Sequence, residues 1–328
     1  MGVVGDSDAV TYRYQETTES HDSIVGEPIN PVGLLRRMAL IPPGFFDCVV
    51  AIGNPQTGAP TNWVATGFVY GKFIRQHPDG RREYRIYLVT NRHVASQLKM
   101  ARLRFNPVGS APAKEYDLVL VDGQGKAQWY TPNNPNADVA VVPIDYAQLE
   151  RDGIAVRFFS DVEHAAKKPR MVQIGVAEGD FVYVLGFPFG DVGGSRSYVV
   201  ARSGSLARVR DTLSGTRQDF LVDVTTFPGN SGGPIILKPE VVSIQGTPAN
   251  SQALLIGVTA LSINYLDEAV SKQTGETRVT FQDNSGLSIA FPIDFVDEAI
   301  QHHLATLPPA PVGTPSAGTT TAEPTGKT

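Results

Sequence analysis

From Phe45 onward the chain reads as short apolar runs separated by turn residues: "FFDCVVAIG", "WVATGFVYGKFI", "REYRIYLVT", "YDLVLVD" and "ADVAVVPI". Runs of this length, rich in Val, Ile, Tyr and Phe and bounded by Gly, Pro, Asn and Asp, predict β-strands. Between the second and third lies "HPDG". Pro78 presets φ there and Gly80 accepts a positive φ, so a hairpin is predicted. A second series of similar runs follows, comprising "DFVYVLGFPFG", "RSYVVARSGSLARV", "DFLVDVT", "GGPIILK", "ALLIGVTALSI" and "GLSIAFPI". Two sets of about six antiparallel strands fit a pair of small barrels or sheets with a cleft between them. No amphipathic helix alternates with these strands, which argues against a parallel α/β sheet. After the last strand, "PIDFVDEAIQHHLATL" puts Phe295, Val296, Ala299, Ile300 and Leu304 on one face behind Asp294 as N-cap. One closing helix is predicted.

The ends read differently. Residues 1–40 are polar and lack a clear period, apart from "GLLRRMAL", which could form one or two helical turns. They are expected to be a partly disordered extension. Beyond Leu307 the text "PPAPVGTPSAGTTTAEPTGKT" has no aromatic residue and too little apolar surface to offset ordering. The expected division is therefore an extension over 1–40, a two-barrel domain over 41–306 and a flexible tail over 307–328.

Composition narrows the partners. The net charge is −5 and only 19% of residues are charged, so no basic field exists to hold nucleic acid or anionic lipid. Protein or peptide partners fit better. Gly 32 and Pro 24 together stand well above the roughly 12% of average usage, as many turns between short strands require. The single Cys48 rules out an internal disulfide and lies in an apolar run, where a buried, inert thiol is expected. The N-terminus lacks a basic start followed by an apolar core, and no stretch reaches the ~18 apolar residues of a membrane span, so a cytoplasmic protein is expected. No metal cluster, phosphate loop or cofactor motif is present, and none is expected to be needed.

One nonapeptide stands out: "FPGNSGGPI", Phe227 to Ile235, holds three glycines and two prolines around Ser231. A serine hydroxyl attacks a carbonyl only when a base takes its proton and fixed donors meet the developing oxyanion. Glycines beside the serine let backbone N–H groups turn inward, so those of Gly229 and Ser231 would form such a donor pair. A tight Pro-Gly turn carrying a chance serine is the plain alternative. Of the six histidines, His21, His77, His164, His302 and His303 occupy settings ordinary for solvated imidazoles. His93 follows the strand "IYLVTN", which would deliver it to the end of a sheet, although a structural histidine there is equally compatible. Asp138 opens the apolar run "ADVAVVPI" and could orient an imidazole. Asp117 and Asp122 compete with it, and Asp145 reads as a turn residue.

Taken in order, "LVTNRHV", "ADVAVVPI" and "FPGNSGGPI" resemble the chymotrypsin-clan serine peptidases, and more closely their HtrA-type, trypsin-like bacterial branch. "WVATGFVYG", "EGDFVYVLGFPFG" and "GLSIAFPIDFVDEAI" extend the likeness, which spans about Phe45 to Ala305. The resemblance implies an all-β fold of two six-stranded antiparallel barrels with a C-terminal helix. It implies a catalytic triad of His93 and Asp138 from the first barrel and Ser231 from the second. It also implies that Thr225, Thr226 and Phe227 contribute to the primary pocket, which holds no acid to attract Lys or Arg. Three departures matter. Asn230 stands where many secreted members of that clan carry an Asp that pairs with a freed N-terminus, the His93 to Asp138 interval is long, with "GQGKAQWYTPNNPN" as the inserted loop, and the Pro/Thr-rich tail stands where HtrA proteins usually continue into a PDZ domain, so none is expected here.

Two rival readings remain. Gly229 to Gly233 also satisfies the G-x-S-x-G elbow of α/β hydrolases, but Pro234 and Pro239 oppose the helix that fold needs after the serine. A protease-fold binding module, silent until a partner orders the cleft, is the other.

Overall fold

Burial on both faces explains why so many strands read as continuous apolar runs. The computed structural model describes residues 10–12, 40–240 and 249–308. The first half contains β1 (Val10–Tyr12), β2 (Val49–Asn54), β3 (Asn62–Gln76), β4 (Arg82–Thr90), β5 (Met100–Phe105), β6 (Lys114–Val119), β7 (Ala140–Pro143) and β8 (Phe159–Ser160). The second contains β9 (Phe181–Gly186), β10 (Val200–Arg208), β11 (Phe220–Asp223), β12 (Pro234–Leu237), β13 (Leu254–Val270) and β14 (Thr277–Pro292). On β4, Ile86 and Leu88 face a core inside the first half, while Tyr87 and Val89 face a second core between the halves. On β9, Val182 and Val184 fill the second half while Leu185 joins that shared core. Period-two alternation thus sends neighbouring residues into two different cores.

β9 to β14 close into a six-stranded barrel in the order β10-β11-β14-β13-β12-β9. The first half differs from the six-stranded barrel expected. It is an eight-stranded sheet, β1-β4-β3-β2-β5-β6, with β7 added to β4 and β8 to β3. Where a regular ladder would close it, the Gly- and Asn-rich stretch after β6 makes only single bridges, Val121 to Ala127 and Tyr130 to Val141. The result is a barrel-like curl without a continuous seam. β5 escapes the apolar-run pattern because Arg102 and Arg104 alternate with buried Ala101, Leu103 and Phe105, and those arginines pair across to Asp117 and Glu115 on β6. The "HPDG" hairpin forms as expected, with the Gly80 N–H donating to the His77 carbonyl at φ +84°.

The closing helix, Asp294–Thr306, buries Phe295, Val296, Ala299 and Ile300 in the shared core, and Leu304 packs against it. Its N-cap position is Ile293, not Asp294, and no side chain caps it. The Asp294 carboxylate instead accepts the Lys168 N–H at 3.0 Å. Asp297 from the same helix meets Lys72 at 3.2 Å and pairs with Lys167, tying the helix to both halves. Among the described residues no helix is long and apolar enough to cross a membrane. The expectations for "GLLRRMAL" and His21 lie outside the described residues, as does most of what was expected of the extension and tail. The three-residue β1 pairs with β4 within that extension.

Two histidines expected to be solvated are not. His303 is 5% exposed and bonds the Tyr87 hydroxyl at 2.9 Å through Nδ1. His164 Nδ1 accepts the Ser160 N–H at 2.9 Å, and burial together with nearby Arg170 pushes its pKa down to about 4. An unfolded chain takes that proton first, near pH 6.5, because the folded pKa is the lower one. This contribution to stability is whole above about pH 6.5 and falls toward pH 4, by up to ~3 kcal/mol. Urea unfolding at several pH values should therefore show a flatter acid limb for His164→Gln than for wild type, and an unchanged slope would refute the assignment.

Candidate active site

β4 carries the chain out of the core to Thr90, and a short helix, Arg92–Gln97, begins at once. His93 sits in its first turn. The Asn91 side chain donates to the Asp138 carbonyl at 2.6 Å, drawing the segment before β7 against the helix. Ala137 and Val139 are fully buried on either side of Asp138, so its carboxylate has little freedom. That carboxylate takes two bonds from one residue: the His93 backbone N–H reaches Oδ1 at 2.9 Å, and His93 Nδ1 reaches Oδ2 at 2.6 Å. Burial opposes charge on Asp138, but the His93 hydrogen bonds and the His93 and Arg92 charges hold its pKa below the usual value. An ionised carboxylate only accepts, so the Nδ1–H of His93 donates to it, and Nε2 is the ring nitrogen left facing away from Asp138.

The competing carboxylates are used elsewhere. Asp117 pairs with Arg102 at 2.8 Å, Asp122 accepts the Gln124 and Lys126 N–H groups of a turn, and Asp145 caps the helix Tyr146–Arg151 through the Gln148 N–H.

Ser231 stands in a turn stapled by its own neighbour. Asn230 is 1% exposed, and its Oδ1 accepts the Phe227 N–H at 3.0 Å, while the Gly233 N–H returns to the Asn230 carbonyl at 2.9 Å. Asn230 thus fixes the turn through a local hydrogen bond. Gly229 lies at φ +101° and Gly232 at φ +86°, values that L side chains rarely adopt. Phe189, itself left-handed at φ 59°, donates its N–H to the Pro228 carbonyl at 2.6 Å. Because a trans peptide points its C=O and N–H in opposite directions, the Gly229 N–H is turned the other way. Among the described residues, neither the Gly229 nor the Ser231 N–H has a hydrogen-bond acceptor.

One residue that sequence reading missed organises this turn. Thr66 on β3 is fully buried; its hydroxyl donates to the Gly229 carbonyl at 2.6 Å and accepts the Phe187 N–H at 3.0 Å. Its backbone N–H donates to the Ser231 carbonyl at 2.9 Å. The first half of the molecule therefore holds the serine turn of the second. Its signal was slight: a Thr inside the otherwise apolar, Gly-containing run "WVATGFVYG".

His93, Thr226, Phe227, Gly229, Ser231 and Ala260 line one cleft of about 280 Å³, together with Leu261 and Ser262; Thr225 lies outside that lining. The Ser231 hydroxyl donates to the Ala260 carbonyl at 3.1 Å, and among the described residues no hydrogen bond joins it to His93. Apart from His93, the residues that line the cleft carry no charge. The Thr226 and Ser288 hydroxyls meet at 2.6 Å, with Ser288 donating to the Val224 carbonyl at 2.8 Å. Phe227 stacks on Phe189, with ring centres 4.5 Å apart, and Arg202 lies 5.1 Å from the Phe227 ring. Cys48 is 2% exposed, and burial raises its thiol pKa well above the ordinary value, as an inert structural thiol requires.

The cleft, with a closed barrel on one side and a barrel-like sheet on the other, defines a chymotrypsin-like fold. The family model of the trypsin-like peptidase domain matches residues 65–242, more than half of the chain, and this protein belongs to that family. Among solved structures it resembles human heparin binding protein, at 11% identity and a TM-score of 0.44, over 83% of this chain and 97% of that one. A structure of HBP at atomic resolution is similar at 12% identity and a TM-score of 0.41, with the same coverage. No curated protein sequence matches the chain.

Proposed function

We propose that this protein is a serine endopeptidase of the HtrA-type branch, with its protease domain over 41–306 and Ser231, His93 and Asp138 as nucleophile, base and orienting acid. The observation that carries the reading is the two-point grip of Asp138 on His93, in a cleft shared with Ser231. His93 Nε2 takes the Ser231 proton as the hydroxyl attacks a peptide carbonyl. The N–H groups of Gly229 and Ser231 receive the oxyanion, and protonated His93 then delivers its proton to the leaving amine. Water repeats the sequence on the acyl-enzyme.

The Ser231 hydroxyl must first leave the Ala260 carbonyl. A substrate N–H that donates to that carbonyl competes for the same oxygen and frees the hydroxyl to turn toward His93. This contact also supports the second reading, a site that stays silent until a ligand orders it. With Thr226 and Phe227 on an uncharged wall, the pocket favours small or medium uncharged side chains, and cleavage confined to Lys or Arg sites would overturn that preference.

Intact-mass analysis after treatment with a fluorophosphonate probe tests the nucleophile. One adduct is expected on wild type and none on Ser231→Ala or His93→Ala. A folded wild-type protein that takes no adduct would leave the silent module as the better reading.

A further inference from the structure

β13 and β14 do not stop at the barrel. Past Ser262 and before Asn284 they continue as a two-stranded arm, paired from Asn264↔Asn284 to Val270↔Thr277 and closed by the turn at Ser271–Glu276. The arm is long, about 30 Å for ten residues at strand spacing. It is also unusually apolar for something solvent surrounds on all sides: Leu261, Tyr265, Leu266, Val270, Val279 and Phe281 are each at least half exposed. An isolated two-stranded ribbon is marginal in water, and exposed apolar groups along one mark a surface that something covers.

Three observations say what covers it. The arm is rooted in the cleft, because Ala260, Leu261 and Ser262 line the cavity and lead directly into its first strand. Its root is fastened to the cleft wall, where Asn284 Nδ2 donates to the Thr226 carbonyl at 2.6 Å, and its two strands are clipped together there by the Ser285 hydroxyl donating to the Ile263 carbonyl at 2.6 Å. Next, β12 pairs with β13 only as far as Val258, so among the described residues no strand lies along the β13 edge from Leu261 to Val270. That edge is a ready template for an added strand. Finally, the arm carries Asp267, Glu268, Glu276 and Asp283 against Lys272 and Arg278. On one face the pairs Tyr265↔Asp283 and Asp267↔Phe281 interleave rings with carboxylates.

Resting on the peptidase reading, we infer that the arm is an extended subsite for the substrate itself. It binds the segment upstream of the scissile bond as an added β-strand, with preference for apolar residues alternating with Lys or Arg. Direction follows from strand polarity. Every pairing within the second barrel is antiparallel, and a strand added antiparallel to β13 runs from the arm's tip toward the cleft. The upstream part of the chain therefore lies on the arm and its downstream end reaches Ser231. Backbone pairing supplies affinity without strict sequence, and the rings and carboxylates bias the choice of side chains.

The test separates binding from turnover. Fluorescently labelled peptides sharing one cleft-binding core, extended upstream or downstream by about ten alternating Leu and Lys residues, are titrated into full-length Ser231→Ala protein. Upstream extension should tighten binding about tenfold or more and downstream extension should not. The gain should vanish when residues 266–282 are replaced by an Asn-Gly turn that joins the register partners Tyr265 and Asp283, and also in the exposed double variant Tyr265→Lys, Phe281→Lys. Fluorophosphonate labelling of each arm variant carrying the native serine should be unchanged. Equal affinity for core and upstream-extended peptides would overturn the proposal. So would a wild-type dimer in sedimentation that becomes monomeric on shortening the arm without any change in peptide affinity, which would assign the surface to a second copy. Failure of the peptidase reading shows separately, as absent labelling of wild type.

Discussion

Asp138→Asn should lower kcat/KM on a peptide substrate by about 10⁴ while leaving the fold intact, the cost of the wrong imidazole tautomer in such a triad. The structure supplies the reason. Asp138 accepts both the His93 backbone N–H and the ring Nδ1 through its two oxygens, and an asparagine has only one. If the amide oxygen stays with the backbone N–H, the NH₂ group faces Nδ1, which must then accept. The ring proton moves to Nε2, where it blocks the base that Ser231 needs. Activity within tenfold of wild type, with an unchanged circular dichroism spectrum and melting temperature, would remove Asp138 from the mechanism.

The second large effect is on stability. Gly232→Ala places a methyl group against the Thr66 carbonyl and the Thr90 hydroxyl at a backbone φ of +86°. Neither neighbour can retreat cheaply. Thr66 is fully buried, and the Thr90 hydroxyl donates to the Thr66 carbonyl at 2.9 Å. Conformational strain and collision together should cost about 3 kcal/mol or more, a loss of roughly 6–12 °C in Tm for a domain of this size. Gly58→Ala is the matched control: its φ is +73°, but a methyl group there meets nothing within 4 Å. It should cost about 1 kcal/mol, the strain alone. If thermal denaturation finds the two variants equal, the collision at the serine turn is not what fixes Gly232.

Much of the second half was legible because its information is local. "DFLVDVT" and "GGPIILK" are bounded by turn residues, and their strands β11 and β12 lie within those limits. The closing helix buries the face its spacing predicts, since a period of 3.6 needs no knowledge of the partner surface. β5 was harder to read because its outward arginines broke the apolar run that their cross-strand partners make tolerable. The arm was read short for the opposite reason: beyond Leu261 its residues are mixed, and nothing local says that two such stretches pair outside a core.

Histidine placement divides in the same way. His93 drew notice from its position after a strand, while His164 was taken for a surface residue because its flanking text is charged, and His303 because it lies on the closing helix. Each is instead held by a partner, His164 by the Ser160 N–H and His303 by the Tyr87 hydroxyl. Burial of a polar ring depends on what folds over it.

By itself, then, the sequence determined the all-β class, most strand positions, the closing helix and the order of His93, Asp138 and Ser231, because periodicity and turn chemistry act over a few neighbouring residues. The tertiary structure alone decided that Asp138, not Asp117 or Asp122, meets His93, that Thr66 pins a turn 163 residues away, and that the Ser231 hydroxyl rests on the Ala260 carbonyl. Those outcomes are set by which strands lie side by side, and a hydrogen bond between distant residues leaves no local pattern in either of them.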